Sequence, residues 1–119
     1  MAWRIEVTPT ARGDLDVIFD HVVRSYDKLG YDLIDGVMAA ENRIGAIMAS
    51  ARRLTGAPQR GTRVPLAGRE MRHVTIDRAI FWFTVDAPNE IVRIEAIFHG
   101  GQDHLGHMLA RLSRETGAD

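Results

Sequence analysis

The sequence predicts an α+β fold in which a hairpin of two helices packs on one face of a small, mostly antiparallel sheet. Three observations lead to this prediction. An alternating segment opens the chain, and two amphipathic stretches follow it. Three short segments rich in β-branched and aromatic residues then succeed one another between residues 69 and 99. The predicted order of elements is β-α-α-β-β-β-α.

The first strand and the start of the first helix are marked by alternation followed by a cap. Trp3, Ile5 and Val7 alternate with charged residues, as in a half-buried strand. Thr8 is a suitable N-cap for the helix that follows. Pro9 suits the first helical position, where its missing N–H costs nothing.

The helix hairpin is predicted over about residues 9–54, with a break at Gly30. Asp14 is placed on the outer, polar face of the first helix, because charged residues recur beside it at helical spacing. The apolar residues predicted to face the sheet are Leu15, Ile18, Phe19, Val22, Val23 and Tyr26 in the first helix, and Leu33, Val37, Met38, Ile44, Ile47, Met48, Ala51 and Leu54 in the second.

The second half of the chain is predicted to form a loop, a meander and a short helix. Residues 55–68 are rich in Gly, Pro and Arg without periodicity, which indicates a loop. The three strands of the meander (69–99) are Arg69–Ile76, Arg78–Val85 and Glu90–His99. Asp103 can cap a last helix over residues 103–113.

The last strand is predicted to present one face to the helices and to turn the other away. Simple alternation assigns its residues to the two faces. The residues predicted to meet the helices are Val92, Ile94, Ala96 and Phe98, and those predicted to point away are Ile91, Arg93, Glu95, Ile97 and His99.

Bulk properties favour one soluble, cytoplasmic domain. The chain has 119 residues, of which 45% are apolar, and it has no cysteine, so neither disulfides nor thiolate metal sites are available. No apolar run approaches the roughly 20 residues that span a bilayer. The first residues lack the pattern of a signal peptide.

The charge is unevenly distributed, although the net charge is only −1. Residues 50–78 contain seven arginines against Glu70 and Asp77, which leaves a local charge of +5. Because arginine pairs bidentately with carboxylates and phosphates, this segment is a candidate anion-facing surface. A solvated loop is the alternative, and the composition does not separate the two.

A histidine-rich segment near the end of the chain raises the question of a metal site. His99, Asp103, His104 and His107 fall within nine residues, and such a set is able to ligate zinc or nickel. A helix start with an aspartate cap and exposed histidines is the favoured explanation. No metal and no cofactor are therefore predicted.

Five short motifs, in order along the chain, resemble those of the RelE/ParE superfamily of bacterial type II toxins. They are Thr8–Leu15, Pro58–Gly61, Glu70–Arg72, Arg78–Trp82 and Ile97–Asp103. The resemblance covers about residues 3–112. It implies a toxin that a labile antitoxin holds inactive.

The RelE-like branch of this superfamily cleaves mRNA in the ribosomal A site. Cleavage without a metal needs a base, an acid and donors for the phosphorane charge. On this hypothesis the catalytic residues would be Arg72, His73, Arg78 and His99. The low net charge, the scarcity of lysine and the absence of a tyrosine after His99 speak against it.

The ParE-like branch poisons DNA gyrase and needs no catalytic groups, so it is favoured. The toxin would bind and stabilise the covalently cleaved DNA complex of gyrase. The predicted partners are thus a ParD-like or similar antitoxin, in a hetero-oligomer, and gyrase. We predict no membrane partner and no sequence-specific DNA binding by the toxin alone. A non-toxic or metal-binding relative remains a further alternative.

The antitoxin or target is predicted to contact the arginine-rich segment and the helix hairpin. Arginines would attract an acidic tail, and an apolar hairpin offers a groove for an amphipathic helix. The residues predicted to bind antitoxin or target are Arg60, Arg63, Arg69, Arg72, Arg78, Leu33, Val37, His99 and Gln102.

Overall fold

The computed structural model describes residues 3–66, 68–100 and 103–115. Three helices and five strands make up this part of the chain, which confirms the predicted α+β class. The elements in chain order are β1 (Arg4–Val7), α1 (Pro9–Lys28), α2 (Leu33–Arg52), a 3₁₀ turn (Arg53–Gly56), β2 (Thr62–Leu66), β3 (Arg69–Ile76), β4 (Ala79–Asp86), β5 (Ile91–His99) and α3 (His104–Glu115).

The five strands form one sheet in the order β1-β5-β4-β3-β2. β1 pairs with β5 in parallel, and the other three pairings are antiparallel. The sheet is one strand wider than predicted, because residues 62–66 form β2 within the segment predicted as a loop. The prediction was wrong there because β2 is a short edge strand that contains Pro65 and two exposed polar residues, so it lacks the alternation of a buried strand.

The start of α1 is built as its sequence predicts. The Thr8 hydroxyl accepts a hydrogen bond from the backbone N–H of Ala11 at 3.1 Å, and Pro9 is the first helical residue. The same hydroxyl lies 3.4 Å from the carbonyl oxygen of Glu95, to which it donates. The N-cap therefore also fixes α1 against β5.

The two faces of the sheet are covered unequally. On the hairpin face, α1 and α2 pack over β4, β5 and β1 and enclose the larger core. On the α3 face, α3 alone covers a smaller cluster. The buried residues of the hairpin face include Ile18, Ile47, Leu54, Phe81, Phe83, Val92, Ile94 and Ile97. Those of the α3 face are Met71, Ile80, Trp82, Ala96, Phe98, Met108 and Leu112.

A β-bulge in β5 overturns the predicted alternation of this strand. Trp82 pairs with Ala96 and Phe83 pairs with Ile94, so Glu95 is an additional residue on β5. Val92 and Ile94 meet the helix hairpin as predicted. Beyond the bulge the faces exchange. The predictions for the following four residues were therefore wrong: Ile97 and His99 lie on the hairpin face, whereas Ala96 and Phe98 lie on the α3 face.

Asp14 is buried, contrary to its predicted place on the outer face of α1. β1 ends at Val7, which leaves the edge of β5 open beyond that point. Asp14 fills this gap: its carboxylate accepts from the N–H of Ile97 at 3.0 Å. Arg111 of α3 donates to both oxygens of the same carboxylate, at 2.8 and 3.0 Å. The ion pair ties α3 to α1 around the edge of the sheet.

Candidate functional site

The four residues predicted as catalytic for an RNase belong to three separate places. Arg72 and His73 are neighbours on β3 and point to opposite faces of the sheet. Arg78 and His99 lie together at the far end of the sheet, where the β3–β4 turn meets the end of β5. Arg72 pairs with Phe83, and His99 pairs with Ala79 on the same strand. Four residues of strand, about 13 Å, separate these two positions.

Arg72 is held by the segment that precedes β2. Its guanidinium donates to the carbonyl oxygen of Gln59 at 2.6 Å and to the side-chain oxygen of the same residue at 3.0 Å. Gln59 belongs to the Pro58–Gly61 motif, so two of the motifs that carry the resemblance contact one another. Arg72 therefore has a structural role in this chain.

His73 lies on the α3 face in a cluster with Trp82 and His104. The His73 ring centroid is 4.7 Å from that of Trp82 and 4.9 Å from that of His104. The Trp82 indole donates to Nδ1 of His104 at 3.2 Å. Burial and the neighbouring His104 hold the pKa of His73 below its ordinary value of 6.5. The His73 ring is thus mainly a neutral packing partner between β3 and α3 at neutral pH.

The turn between β3 and β4 positions Arg78. Asp77 and Arg78 both have positive φ, 49° and 69°, as a two-residue hairpin turn requires. Non-glycine residues adopt this conformation at a cost of roughly 1–2 kcal/mol each. α2 offsets the cost, because Ser50 donates to the Asp77 carboxylate at 2.8 Å and Arg43 donates to the Asp77 carbonyl oxygen at 3.1 Å.

His99 lies in a pocket of about 160 Å³ that α1 and the end of β5 form. Its ring centroid is 5.7 Å from that of His21. Burial lowers the pKa of His99, and the charges of Arg43, His21 and Arg78 lower it further. We call this the basic pocket; the residues that line it are Val17, Ile18, His21, Arg24 and His99.

The remaining predicted arginines lie at the β2–β3 edge of the sheet, mostly in ion pairs. Arg63 of β2 pairs with Glu70, and Arg69 pairs with Glu95 at 2.6 Å. Arg60 is half-buried ahead of β2. The structure therefore does not gather the seven arginines of residues 50–78 into one surface. Gln102, also predicted to bind antitoxin or target, lies outside the described residues.

An exposed apolar surface occupies the end of the helix hairpin. Leu33 is 73% exposed, as a binding residue would be, whereas Val37 is half-buried. Met38, predicted to face the sheet, is 56% exposed. The prediction missed the rest of this surface, although apolar residues on both sides of the Gly30 break are a readable signal. We call it the hairpin tip; its residues are Leu29, Tyr31, Leu33, Ile34 and Met38.

The histidines considered for a metal site point to different places. His99 is in the basic pocket, His104 contacts Trp82, and the His107 ring stacks on Phe98 with centroids 5.8 Å apart. Asp103 instead caps α3 by accepting from the N–H of Gly106 at 3.1 Å. Across residues 3–66, 68–100 and 103–115, no group of three acidic, histidine or cysteine side chains is arranged to hold a metal ion.

Comparison with solved structures shows what this fold is similar to. No protein-family model matches the sequence, and no curated protein matches it. Among solved structures, a chain of the "Chromosomal ParDE TA system from P. aeruginosa" superposes with a TM-score of 0.60. It is 21% identical to this chain, and the match covers 82% of this chain and 96% of that one. The fold is therefore ParE-like.

The helices show no membrane-spanning character. Within the part of the chain that the structure describes, none is long and apolar enough to cross a bilayer.

Proposed function

We propose that this chain is the toxin of a type II toxin–antitoxin system and that it acts by binding DNA gyrase. The ParE-like fold supports the assignment to this class. The observation that carries the choice of mechanism is the separation of the candidate catalytic residues. Arg72 is held by Gln59, His73 packs against α3, and His99 lies about 13 Å along the sheet from Arg72.

A ribonuclease needs its base, acid and charge-stabilising donors around one phosphate. The RelE-type mechanism predicted from Arg72, His73, Arg78 and His99 does not meet this requirement, since no single phosphate can contact residues on two faces and at two ends of the sheet. A toxin that acts by binding needs only exposed surface. The structure offers such surface at the hairpin tip and at the basic pocket.

The hairpin tip is the proposed contact for the antitoxin. Five large apolar side chains, each more than half exposed, adjoin one another in sequence across the α1–α2 turn. Contiguous exposed apolar residues of this kind mark protein interfaces, and an amphipathic helix of the antitoxin would bury them. Toxin and antitoxin would then form a hetero-oligomer that keeps the toxin from its target in the cytoplasm.

The gyrase mechanism is testable with the purified chain, gyrase, ATP and supercoiled plasmid. We expect linear plasmid with covalently attached gyrase after detergent treatment. The Arg72→Gln/His73→Gln double variant should give the same product, because neither residue is catalytic in this mechanism. Supercoiling that continues undisturbed, together with mRNA cleavage in a translation extract that the double variant abolishes, would contradict the proposal.

The antitoxin contact is testable by calorimetry with the neighbouring gene product that restores growth. Leu33→Ser/Ile34→Ser should weaken binding by about 2–4 kcal/mol, as expected for two anchors of an interface. Leu105→Ser/Leu109→Ser is the matched control, because it removes two exposed leucines from α3. Equal affinities for the two variants would exclude the hairpin tip from the interface.

A further inference from the structure

We infer that the basic pocket binds a carboxylate side chain of a partner protein, an aspartate or glutamate with apolar neighbours. This inference rests on the proposed function, since it names the chemistry by which a second surface of the toxin would recognise its antitoxin or target. Five basic groups from four elements converge here. They are His21 and Arg24 of α1, Arg43 of α2, Arg78 of the β3–β4 turn and His99 of β5.

The positive charge of Arg24, Arg43 and Arg78 has little compensation among the described residues. Among the described residues, no ion pair involves His21, Arg24, Arg43 or Arg78, although six other ion pairs occur. Asp77 is the nearby acidic group on the turn, but its carboxylate accepts from Ser50 and Arg53 of the α2 side. An anion from outside is the missing partner in this charge pattern.

Arg43 adds an independent observation. Its Nη1 donates to the Asp77 carbonyl oxygen, whereas its Nη2 is buried with no hydrogen-bond acceptor in the described part of the chain. Buried guanidinium donors are nearly always satisfied in proteins. Arg43 lies close enough to His99 to lower its pKa. An acceptor that contacts His21 and His99 would therefore also be attracted by the unsatisfied Nη2 of Arg43.

The size and the walls of the pocket favour a protein side chain over a nucleotide. Its volume of about 160 Å³ is below the roughly 300 Å³ at which small-molecule sites begin. Val17 and Ile18 supply an apolar wall that suits the methylene groups of glutamate and an apolar neighbour. Its lining residues include no Phe, Tyr or Trp, the rings on which nucleic-acid bases stack.

Occupancy should be coupled to protonation of His99. The groups that face it are His21 and Arg24 from α1, Arg43 from α2, and Asp77 and Arg78 from the turn. Burial and the charges of Arg43, His21 and Arg78 hold the pKa of His99 below 6.5, so its ring is mainly neutral at pH 7 in the free pocket. A bound carboxylate favours the imidazolium, so binding takes up a proton and becomes tighter as the pH falls from 7 to 6.

The test is an NMR titration of the histidine ring signals of the full chain. The probe is a blocked pentapeptide with one central glutamate between leucines, and the matched peptide carries glutamine instead. We expect the His21 and His99 signals to shift saturably with the glutamate peptide. The glutamine peptide should bind at least roughly tenfold more weakly, as loss of a charge-assisted hydrogen bond implies.

A pair of charge-matched variants makes the test specific. Arg24→Gln/Arg78→Asn removes two charges beside the pocket, and asparagine tolerates the positive φ of position 78. Arg12→Gln/Arg52→Gln removes two exposed charges elsewhere. The first variant should lose about tenfold in affinity for the glutamate peptide, while the second keeps it.

Three results would overturn the inference: no saturable shift, equal binding of the two peptides, or shifts produced at lower concentration by a short RNA oligonucleotide. Growth arrest by the chain without peptide binding would remove the inference and leave the proposed function intact. If the chain binds the peptide but neither arrests growth nor traps gyrase, the proposed function is wrong, while the inference that the basic pocket binds a carboxylate stands.

Discussion

The two faces of the sheet are closed in different ways. The hairpin face has two 20-residue helices and a core of large apolar side chains. The α3 face has one 12-residue helix, of which only Met108 and Leu112 are buried. Polar contacts supplement this small cluster, namely the Asp14–Arg111 ion pair and the bond from Trp82 to His104.

The two faces therefore contribute differently to stability: the hairpin face holds the main core, whereas the attachment of α3 depends on polar contacts. Buried apolar area stabilises most of the hairpin face with little dependence on pH or salt concentration, apart from His99, whose pKa burial also lowers. The attachment of α3 depends on the Asp14–Arg111 ion pair and on the imidazole of His73, whose pKa is lowered, and both respond to conditions and to single substitutions. We therefore expect α3 to open at a lower free energy than the rest of the protein.

Loss of a large side chain on the hairpin face should unfold the whole protein more easily. Phe81 is fully buried there. Phe81→Ala should lower the free energy of unfolding by about 3–5 kcal/mol, because it removes apolar contacts and leaves a cavity. Urea denaturation followed by circular dichroism measures the change. A loss below 1 kcal/mol would show that this core is not the main source of stability.

Breaking the ion pair should release α3 without unfolding the hairpin face. Among the described residues, Arg111→Leu leaves the Asp14 carboxylate with the N–H of Ile97 as its remaining partner. We expect a cost of about 2–3 kcal/mol, below the range for fully buried pairs because both groups keep some exposure. Native-state hydrogen exchange should show faster exchange in α3 than in β4. An equal increase of the exchange rates in α3 and β4 would contradict the expectation that α3 opens independently of the hairpin face.

The two helix caps offer a matched pair. Thr8→Ala and Asp103→Ala each remove an N-cap acceptor, at a cost of about 1 kcal/mol. The Thr8 variant should lose this stability globally, since α1 belongs to the main core. The Asp103 variant should lose it only in α3. Exchange rates of the β4 amides distinguish these results, because they should rise for Thr8→Ala alone.

Mild acid should weaken the α3 face. His73 has a folded-state pKa below 6.5, so the unfolded chain binds more protons than the folded chain as the pH falls below that value. Stability from this site is present above pH 6.5 and is lost as the pH falls through the lowered pKa. Urea midpoints between pH 7 and pH 5 measure the loss. His73→Gln should reduce this dependence and leave the part that His99 contributes; an unchanged slope would exclude His73 as a source.

The sequence predicted the elements whose pattern is regular. α1, α2, the meander and the cap at Thr8 follow from periodicity and cap chemistry, and the structure confirms them. The predicted alternation of β5 failed after Glu95, because a bulge inserts one residue without changing the composition of the strand. β2 was missed since a five-residue edge strand with proline resembles a loop.

Prediction of the site was limited by what a one-dimensional pattern contains. Arg72 and His73 are adjacent in the sequence, yet the pleat of β3 sends them to opposite faces. His21 and His99 are 78 positions apart, and only the packing of α1 on β5 brings their rings together. Asp14 looked like an ordinary surface carboxylate, because nothing in α1 reveals that β1 stops short and exposes the edge of β5.

We propose that this chain acts through its surfaces and not through the groups predicted as catalytic. The most direct measurement is pulse-labelling of DNA and protein synthesis in bacteria that produce either the chain or its Arg72→Gln/His73→Gln variant. We expect DNA synthesis to fall first, and equally, in both cultures. Protein synthesis that falls first in the parent culture and stays normal with the variant would contradict it.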